Sequence, residues 1–217
     1  LDGLRFIAIT TVICEHYLPE GHPLKLLSAW GTTGVWLFFV LSGFLISDIL
    51  IRCVDFVRSD GSTASQMLLR FYARRVLRIF PAYYLVLGVA FFTNLPGVRG
   101  SWGWHAGYAT NIWLAHGFGA HSAVGHFWTL AVEEQFYLLW PFVLLWTPPR
   151  WRFYVVTCFV FAAPVATLIA WEYRFWGFVY YMPSRMNLLG IGALVAVCRH
   201  PSSKAPMTRQ SLERWLL

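Results

Sequence analysis

Six apolar runs dominate the chain, at approximately 4–19, 31–51, 77–95, 127–147, 153–171 and 177–198. Each approaches the ~20 helical residues needed to cross a ~30 Å hydrocarbon core. Such runs leave few folds open. A backbone in lipid must satisfy its own hydrogen bonds, and a helix does so within one segment. Composition agrees: the chain is 58% hydrophobic and 12% charged over 217 residues, whereas soluble domains carry about 25% charge. The expected fold class is all-α, a polytopic integral membrane helical bundle with about six spans. The first run is short for a full span. Pro81 and Pro141 fall inside the third and fourth, which membrane helices tolerate when neighbours satisfy the freed carbonyl.

Charge orients the bundle. With the N-terminus inside, the inner side holds Arg5, Arg52, Arg58, Arg70, Arg74, Arg75, Arg78, Arg150, Arg152, Arg199, Lys204, Arg209 and Arg214, and the outer side only Lys25, Arg99, Arg174 and Arg185. The positive-inside rule favours this topology: multi-pass in the inner (plasma) membrane, N-terminus cytoplasmic. Residues 51–76 then read as a cytoplasmic connection and 96–126 as an outer one. The middle of the latter, Tyr108 to Ala115, reads as a short helix dipping into the protein. Residues 1–200 form one membrane domain and 201–217 a polar cytoplasmic connection. Arg5 precedes an apolar run with no small-residue cleavage site after it, so this is not a secretory signal peptide.

Composition also narrows function. The formal charge of +7 sits between apolar runs, with no basic block interleaved with aromatics, so nucleic acid is not an expected partner. Cys14, Cys53, Cys158 and Cys198 form no CxxC pair, and Cys14 and Cys158 read as packing residues. His105, His116, His121 and His126 lack tight ligand spacing, so no metal is expected.

Several motifs carry ionisable groups into apolar surroundings. Arg5 and His16 are eleven positions apart, about 1100° of helical rotation, which puts both on one face about 16 Å apart. Ionisable groups at such depth face a cavity or a partner, unless they anchor at the interfaces. Arg70, Arg74 and Arg78 recur every fourth residue, with Arg75 beside them, at the inner mouth of the third run. A guanidinium cluster there suits phosphates, or anionic lipid headgroups. Glu133 and Glu134 lie within an apolar helix, with Thr129 and Tyr137 four positions either side of Glu133. They serve either a ligand or a buried pair with an arginine such as Arg185. Ser42-Gly43 and Gly190/Gly192 suit close helix approach. Arg185 and Asn187 open the last run, where the arginine either anchors or binds.

These stretches bear a resemblance. LDGLRFIAI leading to His16, VWLFFVLSGFLIS, YARRVLRIFPAYY, HFWTLAVEEQFYLLWPF and SRMNLLGIGALVA resemble, in order, the membrane-bound acyltransferase family 3. Its members are bacterial O-acyltransferases of surface sugars. The resemblance implies a fold of about ten membrane helices, with this chain its N-terminal two-thirds. It implies transfer of an acyl group, usually acetyl, from cytoplasmic acyl-CoA to a carbohydrate hydroxyl on the other side. It implies a catalytic role for Arg5 and His16, and CoA handling by Arg75 and Arg78. Residue chemistry adds Arg74 at the phosphates and His16 as general base or transient acyl carrier. It adds Glu134 or Glu133 orienting a partner. Thr129 departs from a common Ser, and Glu15 beside His16 is unusual. The competing classes are a transporter, for which no repeat symmetry is evident, and a non-catalytic membrane protein.

Overall fold

The computed structural model describes residues 2–19, 21–60, 63–118 and 122–200. His121 and the connection 201–217 lie outside them. Eight α-helices follow in order: α1 (Asp2–Tyr17), α2 (Gly31–Asp60), α3 (Ala64–Phe92), α4 (Trp102–Ala106), α5 (Thr110–Ala115), α6 (Phe127–Trp146), α7 (Pro149–Glu172) and α8 (Met182–Arg199). Among the described residues four segments are long and apolar enough to cross a membrane: Gly31–Arg58, Ala64–Phe92, Pro149–Glu172 and Trp176–Arg199. The six expected spans reduce to four by this measure. At 16 residues, α1 rises only about 24 Å. The 20-residue α6 is diluted by Glu133, Glu134 and Gln135.

The expected inner connection over 51–76 is largely helix. α2 runs on through Asp60 and α3 begins at Ala64. Leu50, Ile51 and Val54 on the end of α2 and Met67 and Phe71 on the start of α3 are buried in one core cluster. Apolar residues at helical spacing thus carry the helices past the charged positions between them. The expected outer dip is present: α5 buries Thr110, Asn111, Trp113 and Ala115.

α2 is the central helix. Of its apolar window 56% is buried, against 11% for α7. Its partner α8 meets it without side chains between them. A Cβ at Gly43 would strike the backbone of Leu189, and one at Gly192 would strike the Val40 carbonyl. Small residues let membrane helices approach this closely. α6 closes the core with Val132, Phe136, Trp140 and Leu144. The Trp140 indole donates to Ser47 Oγ on α2 at 2.7 Å. Cys14 is buried, but Cys158 faces outward, so only the first packs inside.

Ion pairs and a cap tie the C-terminal parts of α2, α6 and α8 and the start of α7 together. Arg152 meets Asp55 at 2.7 Å, and Asp48 meets both Arg52 at 2.7 Å and His200 at 2.6 Å. Arg58 donates to the Leu145 and Thr147 carbonyls, capping the C-terminal end of α6.

Candidate functional site

The site is built along α6. His126 at its N-cap, then Thr129, Glu133 and Tyr137, recur at steps of three, four and four. They fall within one narrow stripe about 16 Å long. Glu133 is 2% exposed and Tyr137 is buried. Ser42 of α2, itself buried, stands beside both. Ser42 thus holds a polar place as well as its expected packing role.

Arg75 comes to this stripe from α3. Its guanidinium lies 4.6 Å from the Tyr137 ring centre and 5.7 Å from that of Phe71. Its charged and polar neighbours are Tyr137, Glu134, Arg78 and Glu133. The arginine facing the glutamates is therefore Arg75. Arg185, the partner named from sequence, lies over Trp128, 5.4 Å from its ring centre.

α3 starts at Ala64, so Arg75 and Arg78 lie about 16 Å and 21 Å along it, where its run of apolar residues begins. Arg74 is half-buried, while Arg70 and Arg78 are exposed. No α3 residue between Phe71 and Tyr83 is buried, although both of those are. α3 therefore leans on the bundle below and above, and opens between. Tyr72 bridges the lower edge, donating to the Leu138 carbonyl at 2.8 Å. Arg75, Glu134 and Tyr108 line this window. Glu133 Oε1, Glu134 Oε1 and the Tyr108 hydroxyl are buried with no hydrogen-bond partner among the described residues. Buried polar atoms seldom stay unmatched, so the window suits a ligand that both donates and accepts.

The segment that carries α4 and α5 is clamped beside it. Gln135 and Asn111 exchange two side-chain hydrogen bonds at 3.0 Å, and Gln135 also donates to the Tyr108 carbonyl. Tyr108 adopts a left-handed φ of 51° and stacks on Tyr83 at 4.2 Å. His105 is fully buried between Ser101 at 2.9 Å and Thr110 at 2.8 Å. Desolvation pushes it down to about 4, so it stays neutral. Tyr83 donates to its carbonyl. Sequence reading passed over Asn111, Gln135 and Tyr108. Gln135 beside two glutamates was the one available signal.

The N-terminal pair lies on α1. Arg5 is half-buried and His16 exposed, beside the face on which Ala8 and Thr11 are buried. His16 Nδ1 donates to the Val12 carbonyl at 3.0 Å. A carbonyl only accepts, so Nδ1 carries a proton, and it is Nε2 that is left to face outward from this bond. The His16 ring meets that of His126 edge-on, centroids 6.5 Å apart. Desolvation and His16 hold His126 below the ordinary histidine range. Glu15 also approaches His16 Nδ1, at 3.9 Å, though helix rotation alone points the two side chains apart. Its carboxylate occupies the space a Cβ at Gly31 would need, at the N-terminus of α2, where the helix dipole favours an anion. Among the described residues no group of three His, Cys, Asp or Glu side chains is placed to hold a metal.

Residues 1–211 match the acyltransferase 3 family, described as an acyltransferase domain. The peptidoglycan O-acetyltransferase OatA of Listeria monocytogenes is 34% identical over 162 residues, covering 67% of this chain and 24% of OatA. The protein YrhL of Bacillus subtilis is 35% identical over 162 residues, covering 67% of this chain and 23% of YrhL. An uncharacterized protein of Haemophilus influenzae is 28% identical over 199 residues, covering 80% and 78%. The chain thus spans about a quarter of the length of OatA and YrhL. No solved structure matches it.

Proposed function

The chain belongs to the acyltransferase 3 family, and from that premise we propose that it is an integral membrane O-acyltransferase. It moves an acyl group, in the first instance acetyl, from cytoplasmic acyl-CoA to a hydroxyl of a cell-surface carbohydrate. Peptidoglycan is the acceptor that the name of OatA supplies. The inner membrane, with the N-terminus on the cytoplasmic side, is the orientation that the arginine distribution favours.

One observation carries the reading. The polar stripe of α6 meets Arg75 at one end and His16, through His126, at the other. Its length of about 16 Å equals the rise from Arg5 to His16. A donor whose phosphates stay near the inner side and whose acyl end reaches outward needs such a path. In this scheme Arg78 and Arg75, with Arg74, hold the phosphates by charge-assisted hydrogen bonds. The pantetheine arm passes the window between α3 and α6, where its amides both donate to and accept from Glu134 and Tyr108. Arg5 and Glu133 hold the path's shape and charge.

His16 does the proton work. Its Nε2 takes the acceptor's hydroxyl proton as that oxygen attacks the thioester carbonyl. The C–S bond breaks, and the proton passes to the departing CoA thiolate. The ester and free CoA thiol are the products, with atoms and charge balanced.

The test is acyl-CoA binding to the full-length parent in membranes. Arg78 is exposed, so Arg78→Ala probes binding without opening the core. Two charge-assisted hydrogen bonds at ~1.5–3 kcal/mol each make the Arg75→Ala/Arg78→Ala double variant weaker by about 100-fold or more. Unchanged binding in both variants would remove the arginines from the donor site.

A further inference from the structure

Four cations lie toward the outer side, and they are used differently. Lys25 donates to the Glu15 and Leu18 carbonyls, capping α1. Arg99 donates to the Phe91 carbonyl, capping α3. Arg174 is exposed and takes the left-handed turn that ends α7. Arg185 does none of this. Among the described residues it makes no hydrogen bond or ion pair, and its Nε is buried without a partner. Of the outer carboxylates among the described residues, Glu15 lies against Gly31 and His16, and Glu172 is exposed.

A desolvated guanidinium is costly unless something answers it. The Trp128 ring answers one face, 5.4 Å away, and Tyr180 stands beside both, its ring edge-on to Trp128 at 5.4 Å. The donor edge of the fork remains. Trp128 lies one helical half-turn beyond His126, about 3 Å along the axis, so the unmatched arginine stands at the level of the end of α6 where an acceptor would react.

We propose that Arg185, backed by Trp128 and Tyr180, forms a subsite that reads a carboxylate on the acceptor sugar. This rests on the acyltransferase reading above. A single planar fork with one face covered matches a planar carboxylate in bidentate fashion. A phosphate dianion calls for a second cation, and Lys25 and Arg99 are already engaged as caps. The substrate class is thus an acidic saccharide, with the reacting hydroxyl turned to His16 and the aromatic pair supporting the ring.

The test uses the full-length protein in lipid nanodiscs, titrated with glucuronate, glucose and glucose 6-phosphate by saturation-transfer NMR. Wild type binds glucuronate about tenfold or more tightly than glucose, the loss of one charge-assisted pair by its neutral analogue. Arg185→Gln brings the ratio close to one, and Arg185→Lys restores part of it. Equal binding of the two sugars, a preference that survives Arg185→Gln, or tightest binding of glucose 6-phosphate overturns the subsite. The wild-type comparison needs no variant, so misfolding of Arg185→Gln leaves the test intact. Acyl-CoA turnover in the same sample separates the two claims. Glucuronate preference without turnover refutes the acyltransferase reading and supports the anion subsite. Turnover without preference refutes the subsite alone.

Discussion

The guanidinium carbon of Arg75 lies 4.6 Å from the centre of the Tyr137 ring. That contact brings a cation from α3 against the one helix that carries two adjacent glutamates. It gives Arg75 a packing task against Tyr137 and the glutamates, beside the donor-side role proposed above.

The first task is measurable as stability. Glu133 is 2% exposed, and Arg75 is among its charged neighbours. Losing the guanidinium from the face of the Tyr137 ring costs about 0.5–2 kcal/mol. Arg75→Ala is therefore expected to unfold below wild type in a detergent-denaturation series. Arg75→Lys keeps the charge but loses the flat stacking surface, and falls between them. An Arg75→Ala protein as stable as wild type would mean that the Tyr137 contact contributes nothing.

The α2–α8 crossing gives a second prediction, with an internal control. Alanine at Gly43 or Gly192 drives a methyl into opposing backbone, which cannot rotate away. Each substitution should cost about 1–3 kcal/mol or more and lower the folded yield. Gly88 on α3 has nothing within 4 Å of an added Cβ. Gly88→Ala should be neutral or stabilising by about 0.5–1 kcal/mol. Equal tolerance at all three positions, read by thermal unfolding, would contradict the close crossing.

His105 sets a pH dependence. The folded protein holds it down to about 4 from 6.5, so between those values the unfolded chain binds more protons. Stability is then complete above about 6.5 and falls as pH drops toward 4, by about 3 kcal/mol in all. Protease nicking within 96–118 should rise over the same window in wild type. In His105→Gln, which cannot titrate there, the nicking rate should stay flat with pH. A wild-type rate that is also flat would show that His105 is not held neutral.

Much of this was legible in the residues. Apolar runs announced a helical membrane bundle, and the arginine-to-histidine spacing placed Arg5 and His16 on one flank of α1. The dip at Thr110–Ala115 was readable because its stretch lacks the charge of a solvated loop. Helix ends were not. α3, α4 and α7 stop where Asn94, Tyr108 and Arg174 adopt left-handed φ, and at none of the three is the left-handed residue itself the usual glycine. Nor could spacing decide which arginine meets the glutamates. That depends on which face of α3 packs against α6, and Arg75 lies on that face at the level of Tyr137. Pairings such as Asn111 with Gln135, 24 residues apart, leave no local pattern at all.

The central claim is that His16 performs the proton transfer at the far end of a path that Arg75 and Arg78 open. The most direct measurement is acyl transfer by the full-length parent in membranes, wild type beside His16→Ala, with acyl-CoA binding read on the same preparations. The account expects transfer to fall by about 100-fold or more, the scale of a lost general base, while acyl-CoA binding stays within about twofold. A His16→Ala protein that binds acyl-CoA and transfers at the wild-type rate would contradict it.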